Sequence, residues 1–180
     1  MTAQYDVVLS KVQPDAHFKA KFPEASLKLF RDRGVKRVLD LGSGDGANAV
    51  FLAVQGFDAH GLEISSVGVQ KTNELAQKMG VTVSVRQGDM YARLPYTNGF
   101  FDAVFSYQSL NHNTLPNIIA LFREINRVLK KGGIFSVKAA DRETYKLKKL
   151  RDNVYLDEDF NEEFEFLDEQ TYVPLTGHEK

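Results

Sequence analysis

A parallel α/β sheet is the fold this sequence predicts, and three observations predict it. Short apolar runs suited to buried strands recur along residues 36–138. Between them lie stretches whose apolar residues repeat with helical spacing. Three glycines spaced by one residue, Gly42, Gly44 and Gly46, follow the first apolar run directly. Strands that alternate with helices build a parallel sheet with right-handed crossovers. A glycine turn between a strand and a helix points the helix's unpaired N–H groups at whatever is bound there.

Taken in order, residues 14–33 read as an opening helix anchored by Phe18, Phe22, Leu27 and Phe30. Pro23 breaks or restarts it, and Gly34 stands just past its end. The first strand spans Lys36–Leu41, with a helix at about 46–55 after the glycine turn. The second strand, Phe57–Glu63, leads into a helix that Ser65 or Ser66 can cap and that runs to Met79. Val81, Val83 and Val85 alternate as a third strand, and Phe101–Tyr107 forms the fourth. Ile118, Leu121, Phe122, Ile125 and Leu129 make the apolar stripe of a helix facing a sheet. Gly132-Gly133 then turns the chain into a fifth strand, Ile134–Lys138.

The 180 residues suit one domain: an N-terminal helical segment (1–34), a core (35–138) and a C-terminal segment (139–180) that is basic and then acidic. A hydrophobic content of 43% beside 26% charged residues is that of a soluble globular chain. No apolar run reaches the roughly eighteen residues of a membrane span. The first residues lack the pattern of a secretory signal, and with no cysteine there is neither a disulfide nor a thiolate nucleophile. A cytoplasmic location is expected. The net charge of −1 hides an asymmetry, with +8 on residues 1–151 and −9 on residues 152–180. The acidic end reads either as a solvated surface or as a cover folded over the basic body. No basic patch with interleaved aromatics points to nucleic acid. His17, His60 and His178 lack metal-ligand spacing.

The glycine turn reads as a Rossmann-type nucleotide site, and Asp40, two residues before Gly42, bears on which nucleotide binds. Gly42, Gly44 and Ala47 can be fitted to the dinucleotide pattern G-x-G-x-x-G/A. Asp40 would then sit beside a pyrophosphate, and two such charges 4 Å apart repel by about 1 kcal/mol even in water. A ligand with a positive end and no phosphate, such as S-adenosylmethionine, suits Asp40 better.

The run Val38-Leu39-Asp40-Leu41-Gly42-Ser43-Gly44-Asp45-Gly46 resembles the first motif of the class I S-adenosylmethionine-dependent methyltransferases. The resemblance continues through His60–Ile64, Gly88-Asp89-Met90, Phe101–Ser106 and Leu129–Gly133, in the family's order. Among subfamilies it is most similar to the small-molecule enzymes of the tellurite-resistance and thiopurine type. It implies a doubly wound, mainly parallel sheet in the order 3-2-1-4-5. The family's sixth and seventh strands are not evident in the 42 residues after Lys138, which read as a partly helical stretch to Arg151, an acidic stretch and a short β-like Thr171–Pro174. If so, the fifth strand needs a cover, from Thr171–Pro174 or from a second copy in a homodimer.

The resemblance also implies a cofactor site, with S-adenosylhomocysteine as the product. Asp40 would hold the ammonium, and the backbone of Gly42, Gly44 and Gly46 would pass the methionine part. Glu63 would accept the ribose hydroxyls and Asp89 the adenine amino group. The Met90 N–H would meet a ring nitrogen, Ile64 would pack on the ring, and Ser106 belongs to the same set. Asp102, which opens a strand, reads as a partner for backbone donors only.

For the acceptor side, His112 follows the fourth strand and is a candidate general base. Tyr5, Tyr107, Asn111, Lys138 and Arg142 are candidate pocket-lining residues. The run Ser106–His112 lacks the Asn/Asp-Pro-Pro-Tyr/Phe motif of enzymes that methylate DNA bases or glutamine. The expected activity is therefore methyl transfer from S-adenosylmethionine to a small molecule. A non-catalytic S-adenosylmethionine-binding module and a nicotinamide-dependent oxidoreductase are the alternatives.

Overall fold

The computed structural model describes residues 20–107, 109–110, 115–138, 147–151, 154–157, 162–166 and 172–174. Its centre is a five-stranded, wholly parallel sheet in the order β3-β2-β1-β4-β5, as expected. The strands are β1 (Arg37–Leu41), β2 (Asp58–Glu63), β3 (Ser84–Gln87), β4 (Phe101–Tyr107) and β5 (Leu129–Lys138). The helices are α1 (Glu24–Asp32), α2 (Ala47–Val54), α3 (Ser66–Lys78) and α4 (Leu115–Val128).

Val38, Leu39, Asp40 and Leu41 are all buried, because a central parallel strand is covered on both faces. Their side chains alternate between two cores. Leu39 and Leu41 join Leu62, Val104 and Phe135 beneath Leu121, Ile125 and Val128 of α4. Val38 joins Ala103, Phe105 and Ile134 with Phe30 of α1, Val50 and Leu52 of α2 and Ala76 of α3. The sheet is thus wrapped on both sides, and the carboxyl ends of its strands are left for the loops.

Several boundaries differ from expectation. α1 begins at Glu24 with Pro23 as its N-cap residue, the restart expected at a proline, while the expected helical residues 14–19, with Phe18, lie outside the described residues. β3 starts at Ser84 rather than Val81, because the Val81 N–H is bonded to the Ala76 carbonyl as the end of α3. β5 starts at Leu129, so Gly132-Gly133 is an irregularity within the strand rather than a turn before it. Phe101 pairs with Leu129 and Ala103 with Ile134, and the extra residues bulge out. Asp102 ties this corner, meeting the expected backbone donors and, beyond expectation, one side chain. Its carboxylate accepts the Lys36 and Arg37 amides at 3.0 and 2.8 Å and the Lys130 ammonium at 2.6 Å.

Beyond Lys138 the described residues form a second, antiparallel sheet, β6 (Leu147–Arg151), β7 (Val154–Asp157), β8 (Glu162–Phe166) and β9 (Tyr172–Pro174). Leu147–Arg151 is therefore a strand, not part of a helical stretch. A strand at 172–174 agrees with the β-like reading of Thr171–Pro174. Cα atoms of β9 come within 8 Å of those of β5, yet the two strands share no ladder.

Candidate functional site

The site is assembled where β1, β2 and β4 end side by side. Asp40 pairs with Gly61 on β2 and with Phe105 on β4, so it lies in the middle of the sheet at the base of the glycine turn. The residue is 1% exposed, and Oδ2 has no hydrogen-bond partner among the described residues. Burial, with the nearby charges of Glu63 and Asp45, pushes its pKa up to about 8 against the opposing help of the Ala49 amide.

Glu63 ends β2 and is buried beside it. Its Oε2 accepts the Gly44 amide at 2.8 Å, and its Oε1 accepts the Ser65 amide at 2.9 Å. These bonds lock the acid against the turn it was expected to serve. Ser65 in turn caps α3 by accepting the Gly68 amide at 3.1 Å.

The three glycines do different work. All have positive φ, but a side chain would meet different surroundings at each. At Gly42 it would strike Ser109 and the Met90 methyl group. At Gly46 it would strike Thr72 of α3, so the missing side chain lets two helices approach. At Gly44 it would meet nothing within 4 Å among the described residues, which leave open space beside a backbone amide that already points at Glu63.

Met90 is half-buried against Gly42, whereas Asp89 is exposed and its Oδ1 accepts the Tyr91 amide at 2.9 Å. Ile64 is half-buried next to Glu63. Ser106 lies apart from this open side: it is fully buried, and its hydroxyl donates to the Leu41 carbonyl at 3.0 Å, fastening β4 to β1. Tyr107 and Lys138 are register partners, with the ammonium 5.2 Å from the ring centroid. Tyr5, Asn111, His112 and Arg142 lie outside the described residues.

Residues that sequence reading missed hold these loops together. The Ser109 hydroxyl lies 3.1 Å from the Gly42 carbonyl and 3.0 Å from the Tyr107 carbonyl, linking the glycine turn to the end of β4. The Tyr91 hydroxyl donates to the Leu110 carbonyl at 3.1 Å. Arg127 donates to the carbonyls of Leu94 and Tyr96 and pairs with Glu124, which accepts the Leu94 amide. The i, i+3 spacing of Glu124 and Arg127 on a helix was the one signal available.

Comparison with known proteins agrees with this geometry. A family model described as a methyltransferase domain matches residues 38–133, more than half of the chain. The chain belongs to this methyltransferase family. Within it, the matched segment of this methyltransferase chain is 35% identical over 104 residues to the sterol 24-C-methyltransferase ERG6B of Gibberella zeae, covering 56% of this chain and 27% of that one. It is 34% identical over 104 residues to the 27-O-demethylrifamycin SV methyltransferase of Amycolatopsis mediterranei, covering 56% and 37%. The chain thus spans about a quarter to a third of the length of these curated relatives. The crystal structure of the PH0226 protein of Pyrococcus horikoshii shares the fold, with a TM-score of 0.65 and 22% identity over 98% of this chain and 84% of that one.

Proposed function

We propose that this chain transfers the methyl group of S-adenosylmethionine to a small-molecule acceptor. The observation that carries the reading is the pairing of two buried carboxylates at one glycine turn, Asp40 with an unpartnered oxygen and Glu63 bonded to the Gly44 amide. The orphaned Asp40 oxygen calls for a cationic group that would draw its proton off, and Glu63 calls for hydroxyl donors and repels a pyrophosphate. S-adenosylmethionine fits, with its ammonium, its ribose hydroxyls and no phosphate. The names of the sterol and rifamycin relatives support a small organic acceptor.

When bound, the cofactor supplies a methyl group already activated by its sulfonium. The chain's share of the work is to position and to keep water out. Asp40 receives the ammonium at the base of the turn, and Gly44 gives the ligand room against the backbone. Glu63 orients the ribose, while Asp89, Met90 and Ile64 frame the adenine. Gly42 and Gly46 shape the turn from behind, through Ser109 and Thr72. The Ser106 side chain secures β4 and contributes indirectly. His112 takes the proton of an oxygen or nitrogen acceptor, and Tyr5, Tyr107, Asn111, Lys138 and Arg142 line the acceptor side. We further infer action in the cytoplasm and assembly as a homodimer through the β5 edge.

Incubation with S-adenosylmethionine and a broad acceptor panel, monitored for S-adenosylhomocysteine, tests the activity. Turnover with any acceptor supports the enzyme. Tight cofactor binding with no turnover on any acceptor would favour a non-catalytic module.

A further inference from the structure

Two lysines frame one tyrosine at the open end of the sheet, and neither is accounted for by the cofactor site. The Lys138 ammonium lies 5.2 Å and the Lys21 ammonium 5.8 Å from the centroid of the Tyr107 ring. Among the described residues neither is within ion-pair distance of a carboxylate, whereas Lys28 and Lys130 both have an acidic partner.

Their placement is fixed by the fold. Lys138 ends β5 opposite Tyr107 at the end of β4. Lys21 is far away in sequence but anchored twice. Its amide donates to Asn48 Oδ1 in the first turn of α2 at 2.8 Å, and the neighbouring Phe22 ring lies 4.4 Å from that of Phe105. Both ammoniums thus stand by the ring of Tyr107, the last residue of β4, whose carbonyl shares the Ser109 hydroxyl with the carbonyl of Gly42 in the glycine turn. Open α/β sheets bind their ligands in this place. Like charges held near one half-buried ring, with no ion-pair partner among the described residues, are arranged to receive an anion.

We propose that Lys21 and Lys138, whose ammoniums lie 5.8 and 5.2 Å from the Tyr107 ring centroid, bind an anionic oxygen group, carboxylate or phosphate, on the methyl acceptor. The Tyr107 ring supplies a flat apolar wall for the acceptor's body. The proposal rests on the methyltransferase reading for its acceptor, but the anion site itself can be tested without turnover.

The test is calorimetric titration of the whole chain at low salt with acetate and, separately, with inorganic pyrophosphate. Lys21→Met and Lys138→Met keep most of the apolar stem and remove the charge. Saturable binding of at least one probe is expected, weakened about tenfold or more by each substitution, the range for a lost charge-assisted hydrogen bond. The better-bound probe tells carboxylate from phosphate. Absence of saturable binding by both probes, or binding by the double variant as tight as by the parent, overturns the proposal. S-adenosylhomocysteine titrated into the same preparations judges the cofactor reading separately. A parent that binds anions but no S-adenosylhomocysteine refutes that reading and leaves the lysine site standing.

Discussion

Asp40 makes cofactor binding depend on pH in a way that can be worked out from its surroundings. Its carboxyl is protonated up to about pH 8 in the free protein because it is buried beside Glu63 and Asp45. An ammonium brought to Oδ2 favours the carboxylate, so binding must expel the proton. At pH 8 about half of the molecules carry the carboxylate and at pH 6 roughly one in a hundred, so S-adenosylhomocysteine should bind roughly fiftyfold more weakly at pH 6. Calorimetry in two buffers of different ionisation enthalpy should count up to one proton released per ligand at pH 7. Asp40→Asn, close to isosteric and uncharged, should abolish both the proton release and this part of the pH dependence. The same shift acts on folding. The native carboxyl holds its proton to higher pH than the unfolded one, whose ordinary value is 3.8, so the Asp40 contribution falls as pH rises from about 4 to about 8. The slope is at most about 1.4 kcal/mol per pH unit, measurable by urea unfolding across that range. Affinity unchanged between pH 6 and pH 8, with no proton released, would refute the placement of a cation at Asp40.

Other consequences are more local. Arg127→Ala should lower stability by about 2–3 kcal/mol in urea unfolding, since it removes charged hydrogen bonds to Leu94, Tyr96 and Glu124 at once. His112→Ala should lower turnover at neutral pH by about 10² to 10⁴ with the affinity for S-adenosylhomocysteine preserved, and unchanged turnover would remove His112 as the base. Light scattering at micromolar concentration should give the mass of a dimer, and a monomer would leave β9 as the neighbour that shields β5.

The central sheet was legible because its signals are local. A buried run such as Val38–Leu41 needs apolar residues one after another, and an abrupt glycine turn leaves no doubt where it stops. Asp40 could be singled out by its charge two residues before the glycine turn, and Glu63 by the resemblance to the methyltransferases. What failed to show is set by tertiary contacts. Leu129 fits the helical stripe of α4 by spacing, yet pairing with Phe101 draws it into β5. Lys148 and Lys149 gave no period from which to tell a strand, and β6 forms by pairing with β7. Gly46 looks like Gly44 in the sequence, but only the fold brings Thr72 against it. Nothing in a linear chain links Ser109 to Gly42, 67 residues away, or Lys21 to Tyr107.

The most direct test is at Gly44. Among the described residues nothing lies within 4 Å of a Cβ at this glycine, so of the three in the turn it is the one at which a side chain would enter the ligand's place without striking a described neighbour. S-adenosylhomocysteine and NAD should be titrated calorimetrically into the parent chain, Gly44→Ala and Gly44→Val, each first shown to unfold cooperatively. The account predicts that the parent binds S-adenosylhomocysteine and not NAD, and that affinity falls stepwise from glycine to alanine to valine. Binding of S-adenosylhomocysteine by Gly44→Val as tightly as by the parent, or a preference of the parent for NAD, would contradict it.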